Sequence, residues 1–216
     1  RLQRLPLFSG HKPRRTRLVS VYYDTPQDLL RRQKMALRVR QMGSAAKPCW
    51  VQTFKTSPAT ESALSQRGEW EFALPHDQLD FDVLCHSTPW GEFDPDGHIF
   101  HSLRACFVTD FERTSWKLRG PDGSSMEVAL DTGCVRIDDQ TSPLCELELE
   151  LLDGSAESLY EVARLIALEV SLLPVNVSKA ERGYRLIQGT VYAPVLAKPL
   201  DQPSCTSVFD LAKPVL

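Results

Sequence analysis

The sequence predicts an α+β fold built on an antiparallel sheet, and three observations support that class. Between residues 17 and 152, apolar and polar side chains alternate with a period of two, which is typical of strands that bury one face. Turn residues such as Gly120-Pro121-Asp122-Gly123 interrupt the alternation, and tight reversals of this kind join antiparallel strands. Beyond residue 155 the apolar period becomes helical, so helices are expected to cover the sheet.

Eight segments carry the strand pattern. In chain order they are residues 17–24, 35–42, 49–56, 67–74, 107–119, 124–131, a short piece near 134–138, and 143–152. Gly120-Pro121-Asp122-Gly123 predicts the hairpin between the fifth and sixth segments. Asp131-Thr132-Gly133 predicts a second tight reversal, between the sixth and seventh segments, because aspartate and glycine are common turn residues.

Three helices are predicted around these strands. Thr25-Pro26-Gln27-Asp28 predicts the start of a short helix with Pro26 at its first position, because proline is favoured there. Residues 99–106 predict a second helix, and residues 156–173 predict the longest one. In the longest helix, apolar residues recur at helical spacing and form one face that suits packing on a sheet: Leu159, Val162, Ile166, Val170 and Leu173.

Length, charge and cysteine usage exclude several function classes. A chain of 216 residues with 42% apolar and 25% charged residues is typical of one soluble globular domain. The net charge of −3 gives no overall basic field, so no nucleic-acid partner is expected. No uncharged apolar run is long enough to span a bilayer and no signal peptide opens the chain, so we predict no membrane partner and a cytoplasmic location. The six cysteines form no Cys-x-x-Cys pair, which favours reduced thiols over a zinc or disulfide scaffold.

The charged residues of the predicted strands fall on one face and are segregated by sign. Arg38 and Arg40 form a cationic row, whereas Glu146, Glu148 and Glu150 form an anionic row with side chains about 7 Å apart. Like charges this close repel one another, so the pattern favours a site where cations hold an anion and carboxylates hold a metal. For any single strand, a sheet with a buried apolar face and a solvated charged face is the simpler explanation. If the sheet curls into a barrel, the charged face becomes an interior that only a polar ligand can fill.

Eight short motifs follow one another between residues 19 and 184. They are Tyr22-Tyr23-Asp24-Thr25-Pro26, Ala36-Leu37-Arg38-Val39-Arg40, Thr53-Phe54-Lys55, Arg67-Gly68-Glu69, Phe111-Glu112-Arg113, Glu127-Val128-Ala129-Leu130-Asp131-Thr132-Gly133, Cys145-Glu146-Leu147-Glu148-Leu149-Glu150 and Ser178-Lys179-Ala180-Glu181-Arg182-Gly183-Tyr184. Each motif is weak alone, but in this order the set resembles the CYTH, or triphosphate tunnel metalloenzyme, superfamily, and most closely its bacterial inorganic triphosphatases. The resemblance implies an antiparallel eight-stranded, barrel-like tunnel flanked by helices, with triphosphate bound inside and a divalent cation required.

The resemblance implies a role for each cation in these motifs. Four cations are expected to bind the triphosphate: Arg38, Arg40, Lys55 and Arg113. Lys179 is expected to close one end of the tunnel and also to bind the triphosphate. The chemistry agrees, because several guanidinium and ammonium groups can neutralise a triphosphate, and the planar fork of arginine suits phosphate oxygens.

The resemblance also implies roles for the acidic residues. Glu146 and Glu148 are the expected metal ligands, with Glu150 as a further candidate at the tunnel mouth, and Mg²⁺ or Mn²⁺ suits such hard oxygen ligands. Glu69 and Asp131 are expected to bind a second metal or to position the attacking water, and Lys179 is counted with them as a catalytic candidate. Four further charged residues are expected to be rim charges or internal salt bridges: Arg67, Glu71, Lys117 and Arg119. Arg182 is expected to be structural, either as a helix cap or as a support for Lys179.

The predicted function is metal-dependent hydrolysis of inorganic triphosphate to diphosphate and phosphate, with inorganic triphosphate or a related polyphosphate as the partner. Such a reaction requires the enzyme to hold the phosphates, neutralise developing charge and orient an in-line water. Thiamine triphosphatase, nucleoside or RNA 5′-triphosphatase and class IV adenylate cyclase are alternatives that use the same tunnel. A non-catalytic polyphosphate-binding module is the alternative of another class, and the oligomeric state is left open.

Residues 1–189 are predicted to form the tunnel domain and residues 190–216 a proline-rich linker. The family's Glu-x-Glu-x-Lys strand has no counterpart in this sequence, so it is expected to precede Arg1 in the parent protein. A helical CHAD domain often follows the tunnel domain in this family, and it is expected after the linker.

Overall fold

The protein, described by a computed structural model over residues 2–44, 47–56, 68–120, 122–175 and 177–190, contains a seven-stranded antiparallel sheet. The strands are β1 Arg14–Asp24, β2 Met35–Ser44, β3 Lys47–Thr56, β4 Gly68–Leu74, β5 Arg104–Arg119, β6 Ser125–Ile137 and β7 Gln140–Asp153. Their order across the sheet is β4-β3-β2-β1-β5-β6-β7. The predicted α+β class and antiparallel sheet are confirmed. Arg67 and most of the predicted linker, residues 191–216, lie outside the described residues.

Six helices and two short 3₁₀ turns accompany the sheet in the described ranges. The turns are Leu2–Arg4 and Pro6–Phe8, and the helices are α1 Leu29–Arg32, α2 Phe81–Ser87, α3 Trp90–Phe93, α4 His98–Ser102, α5 Ala156–Glu169 and α6 Lys179–Ile187. The helix predicted over residues 99–106 ends at Ser102 because β5 begins at Arg104. None of the helices described here combines the length and hydropathy required to cross a bilayer.

The short helix predicted from Thr25-Pro26-Gln27-Asp28 begins at Leu29, three residues later than expected. Asp28 has a φ of 54°, which is a left-handed conformation and not a helical one. Two side chains cap the helix: the Asp24 carboxylate accepts hydrogen bonds from the backbone N–H groups of Leu30 at 2.8 Å and Arg31 at 3.0 Å, and Thr25 Oγ1 accepts one from the N–H of Leu29 at 3.1 Å. The capping that the local pattern assigned to Thr25-Pro26-Gln27-Asp28 is thus shared between Thr25 and Asp24, the last residue of β1.

The tight reversal predicted at Asp131-Thr132-Gly133 is wrong, because these residues lie inside β6 and pair with β5 and β7. Gly133 permits a close strand approach and forms no turn. A Cβ at this position would lie 2.2 Å from the backbone oxygen of Asp110 and 2.5 Å from the Cα of Phe111. The segments predicted at 124–131 and 134–138 are therefore one strand. The described sheet has seven strands, and its edge strands β4 and β7 do not pair with each other there.

The outer face of the sheet, which carries Leu37 and Trp116, is apolar and packs against helices. In the contact between the sheet and α5, Trp116, Met126 and Val128 of the sheet pack with Leu159, Val162 and Ile166 of the helix. A second cluster joins Leu37 and Phe54 of the sheet to one residue from each of α1, α2 and α3, namely Leu30, Leu84 and Trp90. Removal of this apolar surface from water holds the helices on the sheet and leaves the charged residues to the opposite face.

The opposite, inner face, which carries Arg38, Arg113 and Glu148, is partly covered by α6. Gly183 allows a close approach, because a Cβ there would lie 2.2 Å from the Phe107 ring. The Tyr184 ring lies edge-on to Phe107 with a centroid distance of 5.3 Å. The helix is therefore packed closely on β5, and it places Lys179, its first residue, over the charged part of the sheet.

Candidate functional site

The strand register gathers the predicted site residues on the inner face. Residues two apart on a strand share a face, and so do residues that pair across strands. From β4 to β7, the predicted residues on this face are Glu69, Lys55, Arg38, Arg40, Arg113, Asp131, Glu146, Glu148 and Glu150. We call Arg38, Arg40, Lys55, Glu69 and Glu71 the cationic half. We call Arg113, Asp131, Glu146, Glu148, Lys179 and Arg182 the balanced half.

Arg40, in the cationic half, is a buried guanidinium. It is 9% exposed, and its Nε donates a hydrogen bond to Ser20 Oγ at 3.1 Å. Within the part of the chain that the structure describes, no carboxylate forms an ion pair with it. Burial, reinforced by the charges of Arg38 and Arg113, lowers the pKa of Arg40 to about 10. This half therefore contains a positive charge that lacks a protein counter-ion among the described residues.

Arg38 is also buried and only loosely paired. Its Nη1 donates to Tyr22 Oη at 3.2 Å, and its Nη2 lies 3.6 Å from Glu71 Oε1 and 4.0 Å from Glu69 Oε1. Its Nε has no hydrogen-bond partner among the described atoms. Burial alone would raise the pKa of Tyr22, but Arg38 and Arg40 outweigh burial and lower it. The lowered pKa reflects a strongly positive potential at this point of the sheet.

Lys55 and two half-exposed glutamates complete the cationic half. Lys55 Nζ lies 2.6 Å from Glu69 Oε1, and Thr53 Oγ1 donates to Glu71 Oε1 at 3.0 Å. Burial and the charge of Arg38 lower the pKa of Lys55. Three cations here meet two carboxylates, so this half retains one net positive charge.

Lys179 is at the centre of the balanced half, where three carboxylates converge on its ammonium. Its Nζ lies 2.6 Å from Glu148 Oε1, 2.8 Å from Asp131 Oδ2 and 2.9 Å from Glu146 Oε2. Burial opposes the charge of Lys179, but the three carboxylates outweigh burial and raise its pKa. The ammonium is therefore firmly held in its charged form.

Two arginines complete the neutralisation of these carboxylates. Arg113 binds Asp131 with both nitrogens of its fork, Nε to Oδ1 at 2.8 Å and Nη2 to Oδ2 at 2.7 Å, and its Nη2 also contacts Glu148 Oε2 at 2.5 Å. Arg182 Nε contacts Glu146 Oε1 at 2.5 Å. Burial opposes ionisation of Glu148, but Lys179 and Arg113 outweigh it and lower its pKa to about 2. Three cations thus match three carboxylates.

Phe111 lies between the two halves and has contacts with cations of both. Its ring is buried, and the ring centroid lies 6.0 Å from Arg40 Cζ, 6.0 Å from Arg113 Cζ and 5.3 Å from Lys179 Nζ. These distances are within the range of cation–π attraction. The alternation along β5 places Phe111 on the same face as Arg113, but only the folded sheet shows that Arg40 and Lys179 approach it.

Two further contacts anchor α6 and thus position Lys179. Tyr184 Oη donates to Asp24 Oδ2 at 2.6 Å, and Asp24 is fully buried at the end of β1. Arg31 binds both carboxylate oxygens of Glu181, with Nη2 to Oε1 at 2.9 Å and Nε to Oε2 at 3.1 Å. The helix is therefore tied to the β1–α1 segment as well as to β5.

The donor chemistry of the balanced half fits a divalent cation. Glu146 and Glu148 provide adjacent carboxylates on one strand, and such hard oxygen ligands suit Mg²⁺ or Mn²⁺. In the described ranges, no group of three or more His, Cys, Asp or Glu side chains is arranged as a metal site. The point on which the carboxylate oxygens converge is held by the Lys179 ammonium.

The structure also locates three charged residues whose contacts the sequence left open. Glu150 is exposed and lies opposite Glu127, so two carboxylates face each other at this edge. Glu71 contacts Thr53, and Arg182 contacts Glu146, which places both within the charged network. Sequence reasoning missed Ser20, whose hydroxyl accepts from Arg40. Its even spacing from Tyr22 put it on this face, but the pairing of β1 with β2 was needed to locate its partner.

The sequence matches the CYTH domain over residues 1–184. It is 31% identical over 169 residues to the inorganic triphosphatase of Haemophilus influenzae, in an alignment that covers 78% of this chain and 46% of that protein. The chain thus spans less than half the length of this curated relative. Its fold is similar to that of a Hippeastrum protein named for adenylyl cyclase and found to have a dominant triphosphatase activity. The TM-score is 0.52 at 17% identity, with 87% of this chain and 89% of that one covered.

Proposed function

This chain belongs to the CYTH domain family, and from that premise we propose that it hydrolyses inorganic triphosphate to diphosphate and phosphate with the help of a divalent cation. The relative in Haemophilus influenzae is named for this activity. The observation that carries the proposal is the buried guanidinium of Arg40, which lacks a carboxylate partner among the described residues.

A buried charge without a counter-ion is unfavourable, so the cationic half gains most from a ligand that brings several negative charges. Arg38 and Arg40 offer guanidinium forks on neighbouring inward positions of β2, and Lys55 faces them from β3. Such forks suit the oxygens of a phosphate chain. A linear triphosphate therefore supplies the charge that this half lacks.

The aromatic residues of the inner face favour an inorganic substrate over a nucleotide or thiamine triphosphate. A base or thiazolium ring is usually bound by stacking on an accessible aromatic side chain. The aromatic residues that line the described inner face are all buried: Tyr22, Phe107, Phe111 and Tyr184. They pack against one another or against the cations, so their faces are already occupied.

Each half has a distinct part in the proposed reaction. Arg38, Arg40 and Lys55 bind the phosphate chain, while Arg113 and Lys179 neutralise charge on the terminal phosphoryl group. Glu146 and Glu148 hold Mg²⁺ or Mn²⁺, which when bound lowers the charge on the phosphoryl oxygens.

The attacking water is the remaining requirement. We assign its orientation to Glu69, which is 41% exposed and can accept a hydrogen bond from water. The water oxygen bonds to the terminal phosphorus and gives a proton to the Glu69 carboxylate, while the bridging P–O bond breaks and its electron pair leaves with the diphosphate. Asp131 is fully buried and bonded to Arg113 and Lys179, so it positions these two cations and does not touch the water.

Phosphate release tests the proposal directly. The purified protein is assayed in parallel with inorganic triphosphate, ATP and thiamine triphosphate at saturating Mg²⁺ and then Mn²⁺. We expect the highest kcat/KM for inorganic triphosphate and a large loss in Arg40→Met, with little change in Lys117→Met, an exposed lysine on the same face. Release that is faster from ATP or thiamine triphosphate, or insensitive to Arg40→Met, contradicts the assignment.

A non-catalytic polyphosphate-binding module is the second candidate. It is favoured by one observation, that Lys179, Arg113 and Arg182 already neutralise the carboxylates that the metal requires. Calorimetric titration with inorganic triphosphate separates the two functions. If the protein binds triphosphate but releases phosphate from none of the three substrates, with Mg²⁺ or with Mn²⁺, it is a binding module and the proposed enzymatic activity is refuted.

A further inference from the structure

We propose that Lys179 is an exchangeable counter-ion that binds Asp131, Glu146 and Glu148 and yields the carboxylates of Glu146 and Glu148 to a divalent cation. After the exchange, the released ammonium binds the triphosphate. The inference rests on the function proposed above and deepens it, because it assigns one lysine two successive partners in the same site.

The geometry of the ammonium is the first argument. Lys179 is 7% exposed, and its Nζ lies within 2.9 Å of one oxygen from each of the three carboxylates, on two different strands. An ammonium in contact with a single surface carboxylate is common, but one that gathers three buried or half-buried carboxylates holds the place of a multivalent cation. The carboxylates are thus kept together in the absence of a metal.

Competition follows from the shared oxygens. Glu148 Oε1 and Glu146 Oε2 both point at the Lys179 ammonium, and a divalent cation bound by them would lie beside that ammonium. The ammonium and a divalent cation bound to the same two carboxylates would repel each other strongly in a partly buried site. Lys179 therefore has to leave when the carboxylates take a divalent cation.

Charge balance shows where the ammonium goes. The balanced half is neutral with Arg113, Arg182 and Lys179 in place, so a divalent cation adds two positive charges to it. Movement of Lys179 away from the carboxylates removes one positive charge from this half. A triphosphate bound next to the divalent cation compensates the positive charge that is left. Metal and triphosphate should consequently favour each other's binding, and this coupling has to be reciprocal.

The anchoring of α6 makes such a movement possible without displacing the helix. Tyr184 and Glu181 tie α6 to Asp24 and Arg31, whereas the long Lys179 side chain begins at the first residue of the helix. The ring of Phe111 lies next to both Lys179 Nζ and Arg40. The ammonium can therefore exchange its carboxylates for phosphate oxygens near Arg40 by side-chain rotation alone.

Mn²⁺ affinity in the absence of triphosphate is the first test, measured by calorimetry and by the EPR signal of free Mn²⁺. Lys179→Met removes the competing charge and retains most of the aliphatic stem, and Lys117→Met is the matched control for loss of one lysine charge. We expect Lys179→Met to bind Mn²⁺ at least about tenfold more tightly than the unsubstituted protein, and Lys117→Met to stay within about twofold. Unchanged or weaker Mn²⁺ binding by folded Lys179→Met overturns the proposal.

Amine labelling of the unsubstituted protein is the second test, and it is valid even if Lys179→Met fails to fold. Reductive methylation followed by peptide mass spectrometry reports the accessibility of each lysine amine. We expect Mn²⁺ alone to raise the labelling of Lys179 several-fold and added triphosphate to reduce it again, while Lys117 stays constant. Labelling of Lys179 that Mn²⁺ does not change shows that the ammonium stays in place and refutes the exchange.

Failure of this inference is distinguishable from failure of the proposed function. Triphosphate binding and phosphate release that depend on Arg40, together with Mn²⁺-independent labelling of Lys179, keep the enzyme and refute the exchange. Mn²⁺-dependent labelling without any phosphate release keeps the exchange and refutes the hydrolysis.

Discussion

The two halves of the inner face use the same residue types in opposite ways. In the cationic half, Arg40 has no carboxylate partner among the described residues, and Arg38 is only loosely paired. In the balanced half, three cations and three carboxylates meet at 2.5–2.9 Å. The sign of a charge on this sheet therefore does not define its role. Its role depends on whether the protein already supplies the counter-ion.

The difference originates in α6, which contacts β5, β6 and β7. This helix supplies Lys179 and Arg182 to the balanced half. Without these two side chains, Arg113 would face three carboxylates alone, and the half would carry an excess of two negative charges. One helix thus converts an anionic row into a neutral network, while the cationic half keeps one net positive charge.

Asp131→Asn is expected to have the largest effect, and it tests the balanced half. The substitution leaves Arg113 and Lys179 with less negative charge in a buried site, which should lower the free energy of unfolding by about 3–5 kcal/mol. Urea denaturation measures the change. The matched control is Glu71→Gln in the cationic half, where the carboxylate is 49% exposed and the expected loss is below about 1 kcal/mol. Similar losses in both variants would remove the distinction between the halves.

Arg40→Met tests the cationic half and is expected to change binding more than stability. Charge-assisted hydrogen bonds to phosphate contribute about 1.5–3 kcal/mol, so the triphosphate Kd measured by calorimetry should rise about 10- to 100-fold. The free energy of unfolding should stay constant or increase, because a buried charge without a partner is removed. A loss of stability as large as that of Asp131→Asn would show that Arg40 has a structural role instead.

Tyr184→Phe sharpens the comparison, because it acts on the helix that serves only the balanced half. It removes the hydrogen bond to Asp24, which should cost about 1–2 kcal/mol of unfolding free energy. Lys179 should also be less well positioned against the terminal phosphoryl group, so kcat should fall several-fold, while the three cations of the cationic half still bind the phosphate chain and KM changes little. Steady-state kinetics with triphosphate check this, and Tyr160→Phe on the exposed side of α5 is the control. A rise in KM with constant kcat would contradict the separation.

The smallest expected effect is the pH dependence of stability that Glu148 contributes in the balanced half. Glu148 has a pKa of about 2 in the folded protein against an ordinary value of 4.5. Because the folded pKa is the lower one, the stabilisation by Glu148 is complete above pH 4.5 and is lost as the pH falls from 4.5 to 2. The effect should be modest, since the side chain is 47% exposed. Urea denaturation between pH 4.5 and pH 2 should show that the free energy of unfolding falls less steeply with falling pH in Glu148→Gln than in the unsubstituted protein or in Glu71→Gln. Equal slopes in the three proteins would refute the contribution of Glu148.

The strand pattern predicted most of the sheet, because alternation is a local property of each segment. Residues 35–42, 49–56 and 107–119 all lie within observed strands. The error at Gly133 has a physical reason. Glycine serves both in turns and where another backbone comes very close, and only the position of Asp110 on the neighbouring strand distinguishes the two uses.

In the candidate site, too, the sequence predicted which face the residues share but not which of them form ion pairs. The alternation and the family resemblance brought Arg38, Arg113 and Glu148 to one face, and the structure places them there. Their proposed roles stay predictions. Arg182 was expected to be structural, and its contact with Glu146 makes it part of the charged network. No local pattern indicates that contact, because the two residues belong to a helix and a strand that meet only in the folded chain.

By itself, the sequence determined which side chains share the inner face, because a strand turns every second residue the same way whatever its neighbours are. It did not determine which charges neutralise one another. That was decided by the register of β5, β6 and β7 and by the docking of α6, since Coulomb attraction depends on distance through space. For this reason Lys179 meets three carboxylates, whereas Arg40, with the same sign and on the same face, has no carboxylate partner among the described residues.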